Sequence, residues 1–173
     1  MIPDIKEYAG LSITFQVTED CNLRCKYCYE VNKRPGNLPL EYAQKFIDII
    51  LTDPDPIRAE GTGHEWMLQN GLIIDFIGGD ALMTPDLLDQ ILQYFQYRAI
   101  TMKHKWAYRW RASISSNGTL FGDPKVRDFM TKYKDNLSVG VSVDGCPEIH
   151  DKNRIYKDGR GTMKDIQKWW DWY

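Results

Sequence analysis

Three cysteines on one short segment are the residues of this chain best suited to do chemistry. Cys21, Cys25 and Cys28 stand in the run CNLRCKYCYE, separated by three residues and then by two. Three thiolates presented by one loop can bind three irons of a cubane iron–sulfur cluster. Such a site leaves the fourth iron without a protein ligand, so that iron could bind a small molecule and take part in a reaction.

Other uses of these cysteines stay open on the residues alone. Two cysteines separated by two residues often hold structural zinc, but a closed zinc site needs a fourth ligand. No second pair with this spacing follows, and the three histidines, at positions 64, 104 and 150, are scattered. A disulfide is a further alternative. The opening run MIPDIKEYAG lacks the basic and apolar segments of a signal peptide, which favours a reducing, cytoplasmic location.

Composition limits the class of protein. The length of 173 residues suits one domain, which we expect to span residues 1–173, and an apolar fraction of 43% can form a core. A net charge of −2 gives no general attraction to nucleic acid. No apolar run approaches the ~20 residues that a membrane-spanning helix needs. We therefore expect neither nucleic acid nor a membrane as a partner.

Strand-like and helix-like segments alternate along the chain four times. Short apolar runs predict strands, and apolar residues at helical spacing predict the segments between them. This alternation predicts an α/β fold of parallel βα repeats, as an open sheet or part of a barrel. The Pro and Gly residues between positions 52 and 63 interrupt the helical and strand patterns, so they predict a loop there. The expected strands are 11–17, 72–77, 110–115 and 137–143, and the expected helices are 40–51, 85–102, 124–133 and 162–172.

Every unusual motif follows a predicted strand. In parallel α/β folds, functional sites lie beyond the carboxyl ends of the strands. The motifs should therefore converge at one edge of the sheet, although each one after the cysteines could also be an ordinary turn. They are the cysteine segment, Gly78-Gly79-Asp80, Ser115-Ser116-Asn117-Gly118, and Ser142 with Asp144.

The four motifs, taken in order, resemble the radical S-adenosylmethionine (SAM) superfamily. The runs are CNLRCKYCYE, with Tyr27 before the last cysteine, then IGGDALM, SSNGTL and SVDGCPEIHDKNR. They are most similar to peptide- and protein-modifying members, such as sulfatase maturases and maturases of ribosomally made peptides. The resemblance spans nearly the whole chain. It implies a partial (β/α)6 barrel, of which we count about four units.

The resemblance also implies a reaction. It implies a [4Fe-4S] cluster on Cys21, Cys25 and Cys28, with SAM as the second cofactor. In the family, one electron from the reduced cluster cleaves SAM, and the 5′-deoxyadenosyl radical takes a hydrogen atom from the substrate. The expected substrate is a peptide or protein, and the expected electron donor is a flavodoxin or ferredoxin. No catalytic side chain is implied beyond the cofactor ligands.

The family pattern further implies contacts to SAM. Asp80 stands where the family usually has Glu, next to the methionine amino group, and the shorter acid changes its reach. His150 is expected to be structural, and Cys146 is not expected to bind the main cluster. The implied SAM-binding residues are Tyr27, Gly78, Gly79, Asp80, Ser116, Asn117, Ser142, Asp144 and Arg154.

Four repeats where the family barrel has six predict a core domain that is truncated at its C-terminus. The fourth strand would then be a bare sheet edge, which favours self-association or pairing with a complementary chain. Trp169, Trp170 and Trp172 would lack packing partners. The alternative function is a non-catalytic cluster- or SAM-binding module that pairs with another chain.

Overall fold

A parallel sheet with intervening helices makes up residues 11–52 and 71–172, the part of the chain that the computed structural model describes. The four strands lie in the order β1-β2-β3-β4, and every neighbouring pair is parallel. The strands are β1 Leu11–Thr18, β2 Leu72–Gly78, β3 Trp110–Ser116 and β4 Leu137–Val141. The helices are α1 Leu40–Thr52, α2 Pro85–Thr101, α3 Pro124–Lys132, α4 Pro147–Asn153 and α5 Met163–Gln167, with 3-10 turns at Ala81–Met83 and Trp170–Trp172.

The predicted alternation of strands and helices is confirmed, and its local signals act as expected. Asp123 caps α3, because its carboxylate accepts hydrogen bonds from the backbone N–H groups of Lys125 and Val126. Pro85 opens α2, where a missing backbone donor costs nothing. The predicted loop at 52–63 lies outside the described residues except for Thr52, which ends α1.

The structure differs from the prediction in three details near the end of the chain. Helix α4 was not expected, because its seven residues PEIHDKN have no apolar periodicity and their one large apolar residue, Ile149, is exposed. The helix expected over 162–172 is instead the short α5 followed by a 3-10 turn. Strand β4 also ends at Val141, two residues before its predicted end at 143.

One face of the sheet is buried and the other is not. In β2, the side chains of Leu72, Ile74 and Phe76 are buried, whereas the alternating residues are only half-buried. The buried face packs against the apolar faces of α1 and α2, which meet each other. Parallel sheets are usually covered on both faces. The described helices cover one face, and the polar side of the strands leads directly to the loops at their carboxyl ends.

The tryptophan-rich segment has packing partners, so that expectation was wrong for two of the three residues. The guanidinium of Arg127 on α3 lies 5.3 Å from the ring centre of Trp169 and 4.8 Å from that of Trp172. Both indoles are partly buried against the core, and Trp170 is the one that faces solvent. Stacking of a guanidinium on aromatic rings, together with apolar burial, stabilises this contact.

Strand β4 has a strand neighbour on one side only among the described residues. The expected self-association at this edge stays a prediction. None of the described helices combines the length and the hydrophobicity that crossing a bilayer requires.

Candidate functional site

The cysteine loop, residues 19–30, follows β1 and forms one wall of a cavity at the carboxyl ends of the strands. Cys21 is buried, while Cys25 and Cys28 are half-buried, and all three line this cavity of about 230 Å³. The convergence predicted from the motifs is therefore what the fold produces. Other expected residues that line the cavity are Tyr27, Gly78, Gly79, Ser116, Asn117, Ser142 and Arg154.

Backbone hydrogen bonds hold the cysteine loop against the end of α4 and the segment that follows it. The Arg24 N–H donates to the carbonyl of Ile155 at 2.7 Å, and the Lys26 N–H donates to the carbonyl of Asn153 at 2.9 Å. The Arg24 guanidinium also donates to the carbonyls of Cys21 and Leu23, each at 2.7 Å. The loop is thus fixed by residues more than a hundred positions away in sequence, which no local pattern reveals.

The glycine pair after β2 is required by close packing against the cysteine loop. A Cβ atom on Gly78 would lie 2.2 Å from the carbonyl oxygen of Thr18, and one on Gly79 would lie 2.1 Å from that of Asp20. No other residue fits without moving the backbone. The family pattern implied a contact between these glycines and SAM. The structure shows that they first let β2 approach the loop that carries the thiols.

Asp80 does not line the cavity. Its side chain is buried, and its carboxylate caps the 3-10 turn by accepting from the Leu82 N–H at 3.0 Å. It also accepts from the Asn117 N–H at 2.8 Å and from the Ser116 hydroxyl. Burial raises the pKa of this carboxyl group, while the three hydrogen bonds act in the opposite direction.

Asn117 connects the end of β3 to the cysteine loop. Its side-chain N–H donates to Asn22 Oδ1 at 2.8 Å and lies 3.8 Å from Cys21 Sγ. Asn22 in turn donates to the Thr119 hydroxyl at 2.8 Å. The amide of Asn117 is therefore partly committed to holding the loop that carries Cys21. Asn22 was missed in the sequence, because an isolated Asn carries no recognisable spacing.

Tyr27, Asp144 and Arg154 contact one another at the rim of the cavity. Arg154 Nε donates to Asp144 Oδ1 at 2.8 Å, and the Tyr27 hydroxyl donates to Asp144 Oδ2. The guanidinium also lies 5.5 Å from the centre of the Tyr27 ring. Burial opposes ionisation of Asp144, but the hydrogen bonds from Tyr27 and Arg154 outweigh it, and the pKa of this carboxyl lies below its usual range. The contact joins the cysteine loop to the end of β4.

His150 is structural, as its sequence context suggested. The ring is fully buried, and its Nδ1 accepts from the Asp144 N–H at 3.3 Å. The ring must therefore carry its proton on Nε2, which lies 2.9 Å from the Thr162 hydroxyl. That hydroxyl donates to the carbonyl of Arg154 at 3.1 Å. The histidine thus supports both charged residues of the rim.

Lys33 is the main site residue that sequence reasoning missed. Its ammonium group donates to Cys28 Sγ at 3.0 Å, and its side chain lines the cavity. A lysine five residues after the last cysteine lies outside the recognised motif, so no signal in the sequence marks it. The cavity therefore presents two cationic side chains, Lys33 and Arg154, beside the three thiols.

The three thiols are a donor set that a cubane cluster could use. Within residues 11–52 and 71–172, no three His, Cys, Asp or Glu side chains meet as a site for one metal ion. The three thiols instead share one cavity, as ligands to separate corners of a cluster would. Cys146 is exposed at the start of α4 and does not line the cavity. Burial raises the pKa of the free Cys21 and Cys25 thiols.

Comparison with known proteins finds several relatives. The chain is 30% identical over 156 residues to an uncharacterized protein of Methanocaldococcus jannaschii, covering 90% of this chain and 46% of the relative. It is 31% identical over 158 residues to a serine-type anaerobic sulfatase-maturating enzyme of Bacteroides thetaiotaomicron, covering 86% of this chain and 32% of that enzyme. A radical SAM cyclopropyl synthase of Paramaledivibacter caminithermalis is 27% identical over 161 residues, covering 91% and 31% of the two chains.

Solved structures share the fold. The structure of anSMEcpe with bound AdoMet (S-adenosylmethionine) superposes with a TM-score of 0.70 and 22% identity, covering 94% of this chain and 40% of that one. No family model matches the chain. The chain spans between about a third and a half of the length of these relatives. In sequence and in fold, it resembles part of the radical SAM enzymes that modify peptides and proteins.

Proposed function

We propose that this chain binds a [4Fe-4S] cluster and S-adenosylmethionine as part of a radical SAM enzyme that modifies a peptide or protein. The observation that supports this most is one cavity lined by Cys21, Cys25 and Cys28 and by residues at the ends of the other three strands. When bound, the cluster and SAM together would supply reductive cleavage of the sulfonium and a 5′-deoxyadenosyl radical for hydrogen abstraction.

Each group of residues has its own task in this proposal. The three thiolates hold the cluster, and the Lys33 ammonium, 3.0 Å from Cys28 Sγ, balances part of their negative charge. Gly78 and Gly79 bring the end of β2 against the cysteine loop, where their backbone faces the cavity. The protein binds and orients the cofactors and excludes water, while the cofactors carry the reaction.

Ser142 and Arg154 would contact SAM from the other side of the cavity. Ser142 lines the cavity after β4 and is proposed to face the ribose. Arg154 is proposed to hold the carboxylate of SAM with the guanidinium nitrogens that are not committed to Asp144. Tyr27 and Asp144 hold that guanidinium in place. A flavodoxin or ferredoxin as electron donor, and a reducing, cytoplasmic location, complete the proposal.

Anaerobic reconstitution with iron and sulfide tests the cluster. We expect about four irons per chain in the wild type. The single variants Cys21→Ala, Cys25→Ala and Cys28→Ala should lose the cluster absorbance, because two thiolates hold a cluster poorly. Cys146→Ala is the matched control, since this thiol lies outside the cavity, and it should keep its iron. Unchanged iron in Cys25→Ala would contradict the assignment.

An assay for 5′-deoxyadenosine then separates the two functions. The reduced, reconstituted protein is incubated with SAM, and the nucleoside is measured by chromatography. Its formation supports the enzyme. Binding of the cluster and SAM without any cleavage would favour the non-catalytic binding module, and mixing experiments would then show whether a second chain restores cleavage.

A further inference from the structure

We infer that Asp80 is a positioning residue that fixes Asn117 and the cysteine loop from behind the cavity, and that it does not contact SAM itself. This inference rests on the proposed function, and it departs from the contact that the family pattern implied. The side chain is 1% exposed and is absent from the cavity lining. A side chain that binds a ligand must be exposed to the cavity, and this carboxylate is not.

The carboxylate is already occupied. Oδ1 accepts from the Leu82 N–H at 3.0 Å, and Oδ2 accepts from the Asn117 N–H at 2.8 Å. The Ser116 hydroxyl bridges both oxygens at 3.1 and 3.0 Å. A buried carboxylate with three donors is satisfied, and taking it away would leave those donors unpaired. A ligand in the cavity could reach this carboxylate only by opening the wall that buries it, since Asp80 is 1% exposed.

The donors belong to separate segments that together form the back wall of the site. Leu82 lies in the 3-10 turn after β2, and Asn117 directly follows β3. The backbone N–H of Asp80 donates to the Asp20 carbonyl at 3.0 Å, and this hydrogen bond connects the wall to the cysteine loop. Asn117 in turn contacts the cysteine loop. Its side-chain amide nitrogen donates to Asn22 Oδ1 and lies 3.8 Å from Cys21 Sγ. Asp80 therefore acts on the cavity through Asn117.

The length of the side chain distinguishes the two roles. If Asp80 reached SAM, Asp80→Glu would restore the residue usual in the family, and it should bind SAM at least as well as Asp80→Asn. In the positioning role the order reverses. Glutamate adds a methylene where the site is closed and moves both oxygens away from their donors. Asparagine keeps the size and one acceptor oxygen, and loses one set of hydrogen bonds.

The experiment measures SAM affinity by isothermal titration of the reconstituted protein, at a temperature where every variant is folded. We expect Asp80→Asn to weaken binding about 5- to 20-fold, and Asp80→Glu to weaken it about 100-fold or more. The matched control is Asp86→Asn, because Asp86 lies on the surface in an exposed pair with Lys125, and it should bind like the wild type.

Amide hydrogen exchange in the cluster-free protein provides an independent measurement. We expect the Leu82 and Asn117 amides to exchange at least about tenfold faster in both Asp80 variants, while the strand amides of β2 are unaffected. If Asp80→Glu does not fold, Ser116→Ala replaces it. That variant removes one donor, and its effect on exchange at the Asn117 amide should vanish in the Asp80→Asn background, because the two residues act through one contact.

Each outcome decides the inference. Tighter SAM binding by Asp80→Glu than by Asp80→Asn would show direct contact and overturn it. Wild-type affinity in both variants with a lower melting temperature would show a purely structural role and overturn it too. A wild-type protein that binds no SAM would refute the proposed function instead, and the exchange at Leu82 and Asn117 would still decide whether Asp80 fixes this wall.

Discussion

Arg154 and Asp144 form an ion pair that closes one side of the site. Arg154 Nε donates to Asp144 Oδ1 at 2.8 Å, and the two side chains are only 15% and 20% exposed. The Tyr27 hydroxyl occupies the other oxygen of the same carboxylate. The pair therefore ties the loop with the thiols to the end of β4, and it holds the guanidinium beside the cavity.

Removing Asp144 should destabilise the protein and misplace Arg154. Asp144→Ala leaves a mostly buried guanidinium without its partner, so we expect the free energy of unfolding to fall by about 2–4 kcal/mol. Tyr27→Phe removes one hydrogen bond and should cost about 1 kcal/mol. Urea unfolding of the cluster-free protein under reducing conditions measures both. The control is Asp158→Ala, from an exposed pair with Arg160, and equal effects in the Asp144 and Asp158 variants would contradict the prediction.

His150 should make the protein less stable in mild acid. Burial lowers the pKa of its imidazole below the ordinary 6.5, and Arg154 adds to this, while Asp144 and Asp151 act in the opposite direction. The folded state thus prefers the neutral ring. The stability that depends on it is present above about pH 6.5 and is lost as the pH falls, because the unfolded chain takes up the proton first.

Urea unfolding between pH 7.5 and pH 5.0 tests this pH dependence. His150→Asn should be less stable than the wild type at pH 7.5, and its stability should fall less toward pH 5.0. His104 also has a lowered pKa through burial, so His104→Asn is the comparison that separates the two histidines. Parallel stability curves for wild type and His150→Asn would contradict the assignment.

Gly79 should tolerate no side chain. The added Cβ of Gly79→Ala would lie 2.1 Å from the Asp20 carbonyl oxygen and 2.9 Å from Cys21 Cβ. Backbone must move to relieve this clash, so we expect a loss of about 1–3 kcal/mol in stability and reduced iron uptake on reconstitution. Gly140→Ala is the matched control, because its nearest contact is an ordinary 3.8 Å. Normal iron uptake by Gly79→Ala would show that the close approach is not needed.

Lys33 should tune the cluster without holding it. Its ammonium donates to Cys28 Sγ at 3.0 Å, and donors to ligand sulfur raise the reduction potential of iron–sulfur clusters. Lys33→Met should therefore keep the iron content and shift the potential to more negative values. Lys33→Arg keeps a cationic donor and should lie closer to the wild type. Redox titration followed by electron paramagnetic resonance measures the shift, and identical potentials in all three proteins would refute it.

The sequence by itself determined the class of fold and the place of the site. Apolar runs at strand and helix spacing predicted the four βα repeats, because these patterns record which side of each element is buried. The motifs after the strands predicted one shared edge, since parallel strands bring their carboxyl ends together. The spacing of the three cysteines predicted thiols on one wall, and they line one cavity.

Only the tertiary structure decided what each polar side chain does there. Asp80 and Asp144 both follow strands in the sequence, yet one is buried as an acceptor for backbone donors and the other pairs with Arg154 at the rim. Lys33 reaches Cys28, and Asn22 reaches Asn117, through folding that no local pattern encodes. Partners far apart along the chain are chosen by packing, so the sequence locates the site while the fold assigns the roles.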